Sequence, residues 1–232
     1  MSVHASVDAL RVEVDAPVAS FRDPMFPGRA RCLPVPPLST IAGMLGAAGG
    51  DMGTVAGLSV GVAFLAGGGG EDLETYQPLN RDGSLAPVRG RVREGKGGPS
   101  AVTRPFLADC HLSLWITGSD LGRWARALRR PVWGLRLGRS QDIAHAHVMG
   151  VETLAPTERA RVGYALVPDG GADAPASISL RLGVALSPDR RLSRFSSFLW
   201  APDGAGELAV NGAYTDRAGQ AVWLVDISPL PG

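Results

Sequence analysis

The sequence predicts an α+β fold on three observations. Residues 7–14 alternate apolar and charged side chains, which is the period of a half-buried strand. Ile41, Met44, Leu45 and Ala48 recur at the spacing of one helix face. Further apolar segments recur along the 232 residues, separated by turns that the 31 glycines and 18 prolines favour. Together these patterns indicate strands and helices mixed along the chain.

The order of the predicted elements in residues 1–155 is that of a ferredoxin-like βαββαβ domain. After the first strand and helix come a strand at residues 58–65, ended by the glycines at 67–70, and a strand at residues 106–116. Asp120 is predicted to cap a second helix over residues 121–128, and the fourth strand follows at residues 148–154. Residues 75–104, between the second and third strands, carry six basic side chains and no strong core pattern, which predicts a long basic excursion.

The remaining residues, 156–232, are predicted to form a mostly antiparallel β part. Turn signals such as Pro168-Asp169-Gly170 separate its apolar runs. The predicted strands lie at residues 162–167, 178–186, 195–200 and 222–227.

Composition excludes several classes of protein. The net charge is +1, so no bulk basic field favours nucleic acid, and any such role depends on local arginines. Lys96 is the only lysine, a bias that a GC-rich genome also produces. No secretion signal and no membrane-spanning run is evident, so we expect a cytoplasmic protein. Cys32 and Cys110 are expected to be reduced and buried, and the five tryptophans to pack in the core.

The most informative segment joins the first strand to the first helix. It contains Ala19-Ser20-Phe21-Arg22 and then Pro36-Pro37-Leu38-Ser39-Thr40. Arginine guanidinium groups and the free amides of a helix start can together hold an anion. Ser39 or Thr40 is also predicted to cap the helix.

Two other patterns leave alternatives open. Residues 90–97 approach a phosphate-binding loop but end in Gly97 where Ser or Thr would bind Mg²⁺, so they indicate a basic loop rather than an NTPase. His145 and His147 lie two residues apart and could bind a metal, although no Cys or carboxylate stands at ligand spacing. With Tyr76 and Lys96 they could also serve a metal-independent ribonuclease.

Two motifs together resemble the fifth Cas family of CRISPR-associated proteins. The first is Ala-Ser-Phe-Arg followed by the helix start at residues 36–48, and the second is Leu137-Gly138-Arg139-Ser140 after the second helix. The resemblance covers roughly the N-terminal two thirds, and the form of the first motif is closest to subtype I-B. It implies a RAMP-superfamily subunit of a type I Cascade complex that binds the 5′ handle of the CRISPR RNA (crRNA).

The resemblance also implies partners and a mostly non-catalytic role. Family members extend a thumb-like hairpin to the neighbouring backbone subunit and the RNA, and residues 75–104 are in the place of that thumb. Family members also contact the large subunit, which is involved in recognising the target duplex, so their own contact with target DNA is indirect. The resemblance implies no membrane and no cofactor. One branch, subtype I-C, cleaves precursor crRNA, which keeps an endoribonuclease as the alternative. An unrelated globular protein with chance matches is the third hypothesis.

We therefore expect RNA contacts from three places. The predicted contacts are Arg22, Arg29, Arg31, Ser39 and Thr40 near the first motif, Arg139 and Ser140 in the second, and Arg91, Arg93, Lys96 and Arg104 in the thumb.

Overall fold

The computed structural model describes residues 5–26, 30–76 and 100–231, and shows a mostly antiparallel α+β protein, as the sequence predicts. The described elements are β1 (Val7–Ala19), α1 (Leu38–Gly49), a 3₁₀ turn (Met52–Val55), β2 (Ser59–Tyr76), β3 (Ser100–Thr117), α2 (Leu121–Arg129), β4 (His145–Val162), β5 (Val167–Pro168), β6 (Ile178–Leu186), β7 (Ser193–Trp200), β8 (Gly206–Thr215), β9 (Ala221–Val222) and β10 (Val225–Asp226).

Seven strands form one sheet in the order β10-β2-β3-β1-β4-β8-β9, and β5, β7 and β6 form a second sheet. Neighbouring strands in both sheets run antiparallel. The four longest strands, β2, β3, β1 and β4, are adjacent and hold α1 and α2 in their connections. This arrangement places both sequence motifs at the ends of central strands.

The main core lies between the large sheet, the two helices and the second sheet. Leu10, Val12 and Val14 alternate along β1 and are at most 1% exposed, because their side chains all leave the same face of the strand. They belong to one cluster with Leu45 of α1 and Phe198 of β7. The C-terminal residues therefore complete the core of the N-terminal ones.

The glycines at 67–70 do not end β2, so that prediction is wrong. β2 continues to Tyr76 and stays paired with β3 throughout. A Cβ on Gly69 would lie 2.8 Å from the Phe106 carbonyl oxygen, and one on Gly70 would meet the Phe106 ring at 2.9 Å. The absence of side chains here lets the partner strand approach closely and its Phe106 ring cover the gap, so the glycines serve the pairing.

The outer end of this hairpin is a two-stranded arm, residues 70–76 paired with residues 100–106. The last residue pair between β1 and β3 is Ala19 with Leu107. Beyond it, the described residues of the arm pair as strands only with each other, over seven residue pairs. At the usual rise per residue the arm is about 20 Å long. It occupies the described ends of the predicted excursion 75–104, whose residues 77–99 lie outside the description.

The later strands differ more from the sequence patterns. β4 continues to Val162, and β8 has no counterpart among the predicted strands. Strands β6 and β7 lie close to their predicted ranges. The proposed division at residue 155 falls inside β4, and it stays a prediction.

Trp133 contradicts the prediction that all five tryptophans pack in the core. It is 61% exposed, whereas Trp115, Trp124, Trp200 and Trp223 are buried. Across the described ranges, no helix has the length and apolar character needed to cross a bilayer.

Candidate nucleic-acid interface

After β1, residues 21–23 pair with residues 31–33, and the described residues 21–26 and 30–33 are here called the motif hairpin. Arg22 pairs with Cys32 as an antiparallel bridge. The Leu33 amide donates to the Phe21 carbonyl oxygen at 2.7 Å, and the Asp23 amide donates to the Arg31 carbonyl oxygen at 3.0 Å. Backbone pairing therefore fixes the positions from which the Arg22 and Arg31 side chains project.

The motif hairpin presents cations and an aromatic ring to solvent. Arg22 and Arg31 are both exposed, and Phe26 is 42% exposed. The guanidinium carbon of Arg31 lies 4.2 Å from the centroid of the Phe26 ring, within the range of a cation–π contact. A planar aromatic–guanidinium pair of this kind can stack on a nucleotide base while its N–H groups reach a phosphate.

Four of the predicted contacts cannot be located. Arg29 and the thumb residues Arg91, Arg93 and Lys96 lie outside the described residues. Their roles stay predictions.

The start of α1 differs from the predicted cap. The helix begins at Leu38 with Pro37 at the N-cap position, and no side chain caps it. The Pro37 carbonyl oxygen accepts from the Thr40 amide at 2.9 Å, as the carbonyl of an N-cap residue does. The Ser39 hydroxyl oxygen lies 3.1 Å from where a Cβ on Gly183 of β6 would stand. Ser39 and Thr40 therefore occupy the first turn, and capping by them is wrong.

The second motif forms a tight loop that touches the first motif. Arg136 and Ile143 pair as a bridge, and the Leu137 amide donates to the Asp142 carbonyl oxygen at 2.9 Å. Gly138 has φ +118°, and a Cβ there would lie 2.8 Å from the Ser20 carbonyl oxygen. Glycine is required on both counts, since the φ is left-handed and the backbone at Ser20 leaves no room.

Asp142 joins the two motifs and was missed from the sequence. It is fully buried, and its carboxylate accepts from the Ser20 amide at 3.0 Å and the Arg139 amide at 2.9 Å. It also accepts from the Arg139 side chain, with Nε 3.0 Å from Oδ1. The sequence held one indication of this role: Asp142 stands three residues after Arg139, in a turn that begins with Gly138. Aspartates in such turns commonly accept hydrogen bonds from nearby backbone amides.

Arg139 is held by three carboxylates. Its Nη1 atom lies 2.6 Å from Glu74 Oε1 and 3.2 Å from Asp72 Oδ2, and its side chain is 10% exposed. Hydrogen bonding to Asp142, followed by Glu74, raises the pKa of Arg139 above its ordinary value, against the opposing effect of burial. The guanidinium donors therefore point into the protein, and Arg139 ties the second motif to the arm.

Arg104 belongs to the same cluster. Its Nε atom lies 2.6 Å from Glu74 Oε2, and the neighbouring Pro105 carbonyl oxygen accepts from the Ser20 hydroxyl at 2.8 Å. Two guanidinium groups thus face three carboxylates: Asp72, Glu74 and Asp142. We name this set the clamp, because it fixes the base of the arm against both motifs.

Ser140 is exposed at the outer side of the second motif. Its carbonyl oxygen accepts from Arg136 Nε at 2.5 Å, which orders the loop. The structure therefore brings Ser20, Arg104 and Arg139 together, and leaves Ser140 facing solvent near them.

The three histidines of the strands gather around Asp15 of β1. Its carboxylate lies 2.7 Å from His111 Nδ1 and 3.4 Å from His147 Nε2, and the rings of His145 and His147 are 4.4 Å apart. The hydrogen bond with Asp15 raises the pKa of His111. In the parts of the chain that the structure covers, no group of three or more His, Cys, Asp or Glu is arranged to hold a metal ion.

Both cysteines are free thiols, Cys110 buried and Cys32 half-buried. Burial raises the pKa of both, that of Cys110 to about 12. They are therefore protonated at neutral pH and act as small packing groups.

A solved structure of a known protein shares the fold of this chain. A solved structure titled "CRISPR RNA-guided surveillance complex" is similar at a TM-score of 0.56 and 19% identity, covering 94% of this chain and 95% of that chain. "Crystal structure of a CRISPR protein from Archaeoglobus fulgidus" matches at a TM-score of 0.49 and 12% identity, covering 94% and 99%. At 19% identity, the likeness to the surveillance-complex structure shows a shared fold and nothing more.

The family itself follows from the sequence match. The family model described as CRISPR-associated protein (Cas_Cas5) matches residues 9–197, most of the chain, and the protein belongs to this family. A comparison with curated proteins finds no match. Membership of the family supports a CRISPR-associated RNA-binding role.

Proposed function

We propose that this protein is a non-catalytic, cytoplasmic subunit of a type I Cascade complex that holds the 5′ handle of the crRNA and caps the backbone of the complex. The observation that carries the proposal is the contact between the two motifs through Ser20, Asp142 and Arg139. This contact makes one rigid base from which the exposed motif hairpin projects.

The proposal assigns different tasks to the predicted arginines. Arg22 and Arg31 of the motif hairpin are exposed, so their N–H groups can reach phosphates of a bound strand. Phe26 adds a ring on which an unpaired base can stack. Arg139 and Arg104 instead position the RNA surface, because Asp72, Glu74 and Asp142 already neutralise them.

The arm is proposed to be the stem of the thumb. Strand order within β2-β3-β1-β4 supports a ferredoxin-like RAMP domain, in which the β2–β3 hairpin extends beyond the sheet. The clamp holds Asp72 and Glu74 of the arm against Arg139, so it sets the direction in which the thumb leaves the domain. The backbone subunit and the RNA are its proposed partners, and the large subunit binds elsewhere on the chain.

Salt-dependent binding of a 5′-handle RNA oligonucleotide tests the proposal. The double substitution Arg22→Ala/Arg31→Ala removes two phosphate contacts, so we expect about tenfold weaker binding, equivalent to about 1.4 kcal/mol. The slope of log K against log salt should fall by about 1.4, since each contact on a single strand contributes about 0.7. Arg159→Ala/Arg161→Ala, which removes two exposed arginines of β4, is the matched control and should bind as the wild type. Equal affinity and slope in all three proteins would reject this site.

The endoribonuclease alternative has one observation in its favour. His147 lies 3.4 Å from Asp15, and a carboxylate can orient a histidine for proton transfer. Metal-free cleavage of repeat RNA that is lost on His145→Ala or Lys96→Ala would support it and contradict a non-catalytic role.

A further inference from the structure

Helix α2 and the residue that follows it carry four arginines that the two motifs do not use. Arg123, Arg126, Arg129 and Arg130 are all exposed. The ion pairs among the described residues include none of them. They differ in this respect from Arg139, whose donors are taken by carboxylates.

These arginines line a groove between α2 and the end of α1. The groove has a volume of about 500 Å³ and is also lined by Ala48, Gly49, Ala127 and Val132. Every charged residue lining it is an arginine. It lies at the C-terminal end of α1, whereas the motif hairpin precedes the N-terminal end; a 12-residue helix separates them by about 17 Å.

The stability of α2 does not account for four cations. Arg126 and Arg129 in the last turn complement the helix dipole, which one or two cations satisfy. Arg123, Arg126 and Arg129 stand three residues apart within the helix, where side chains are neighbours and like charges destabilise it by about a few tenths of a kcal/mol. A bound polyanion removes this repulsion.

An aromatic ring stands fixed beside the groove. Trp133 is 61% exposed, its amide donates to the Ala47 carbonyl oxygen at 3.0 Å, and its indole Nε1 donates to the Gly50 carbonyl oxygen at 3.2 Å. The neighbouring Val132 amide donates to Ala48 at 3.2 Å. These bonds hold the exposed ring against the end of α1, beside the lining residue Val132.

We propose that this arginine groove is a second nucleic-acid surface that binds a single strand, separate from the 5′-handle site. Guanidinium groups in the groove bind successive phosphates, and Trp133 offers a face for an unpaired base. A duplex keeps its bases stacked and cannot use the ring, which favours a single strand. An acidic peptide fits the charge but gains nothing from a stacking face.

Fluorescence anisotropy with handle-free oligonucleotides tests the proposal on the full chain. The probes are 12-nucleotide oligo-U and oligo-dT strands, a 12-base-pair duplex and a polyglutamate peptide. We expect the single strands to bind the wild type and to bind Arg126→Ala/Arg130→Ala about tenfold more weakly. Trp133→Leu should weaken single strands severalfold while leaving the duplex unchanged, a split that a purely electrostatic surface does not produce.

Two controls separate this proposal from the 5′-handle site. Arg159→Ala/Arg161→Ala changes the net charge equally and should bind as the wild type. Arg22→Ala/Arg31→Ala should keep its affinity for handle-free strands. Wild-type affinity of the Arg126→Ala/Arg130→Ala protein, or tighter binding of polyglutamate than of single strands, overturns the proposal. Loss of handle-free binding in Arg22→Ala/Arg31→Ala instead assigns those strands to the motif hairpin and also overturns it.

Discussion

The clamp and the arginine groove use the same residue type in opposite ways. In the clamp, Arg139 is 10% exposed and meets three carboxylates, so its charge is neutralised inside the protein. In the groove, Arg126 and Arg130 are exposed and have no ion pair within the described ranges. Arg139, which lies in the more recognisable motif, is therefore less available to a ligand than Arg126 and Arg130 of the groove. The burial of an arginine and its distance to carboxylates decide whether it stabilises the fold or can bind a ligand.

The largest expected effect comes from removing the buried carboxylate of the clamp. Asp142→Ala leaves the Ser20 amide, the Arg139 amide and Arg139 Nε without their buried acceptor, although Glu74 and Asp72 still face the guanidinium group. Because each orphaned buried donor costs about 1–3 kcal/mol, we expect a loss of about 3–5 kcal/mol in the free energy of unfolding. Urea denaturation followed by circular dichroism measures it. Glu207→Ala, which removes the carboxylate of an exposed pair with Arg159, is the control and should cost no more than about 1 kcal/mol. Equal losses in the two variants would contradict the clamp.

A smaller effect is expected where the two motifs touch. Gly138→Ala places a Cβ 2.8 Å from the Ser20 carbonyl oxygen at a left-handed φ of +118°, so unfolding free energy should fall by about 1–3 kcal/mol. Gly134→Ala in the same segment has its nearest atom at 3.9 Å and should change stability by less than about 0.5 kcal/mol. Thermal denaturation of the two variants measures the difference. Equal melting temperatures would mean that the backbone at Ser20 does not restrict position 138.

The smallest effect on stability belongs to the groove. Arg126→Ala/Arg130→Ala should stay within about 0.5 kcal/mol of the wild type, because lost dipole interactions and relieved repulsion oppose each other. The same urea measurement provides the value. A loss comparable to that of Asp142→Ala would mean that these arginines are structural, and the contrast with the clamp would disappear.

Much of the fold could be predicted because periodic burial leaves a mark on the sequence. Leu10, Val12 and Val14 alternate as a strand, and Asp120 caps α2 with its side chain accepting from the Arg123 amide at 2.8 Å. The glycines at 67–70 misled the prediction because their close contacts with Phe106 arise only once β3 is in place. β8 was missed because its ten residues show burial at only two positions.

The segments that form the candidate site could be predicted, but the roles of the individual residues could not. The two motifs could be singled out, but only the folded chain brings Gly138 against Ser20 and buries Asp142 between them. Asp72 and Glu74, two of the partners of Arg139, lie more than sixty residues away in the sequence. No local sequence pattern indicates these contacts. The exposure of Trp133 likewise depends on tertiary contacts, since its apolar neighbours favour burial.

Photo-crosslinking of the full chain to a 5′-handle RNA carrying 4-thiouridine shows which residues contact the handle. Mass spectrometry of the crosslinked peptides should place the handle on residues 21–33, and the yield should fall in Arg22→Ala/Arg31→Ala while Arg159→Ala/Arg161→Ala matches the wild type. Handle crosslinks confined to α2 or β4, with none on residues 21–33, would contradict a 5′-handle site in the motif hairpin.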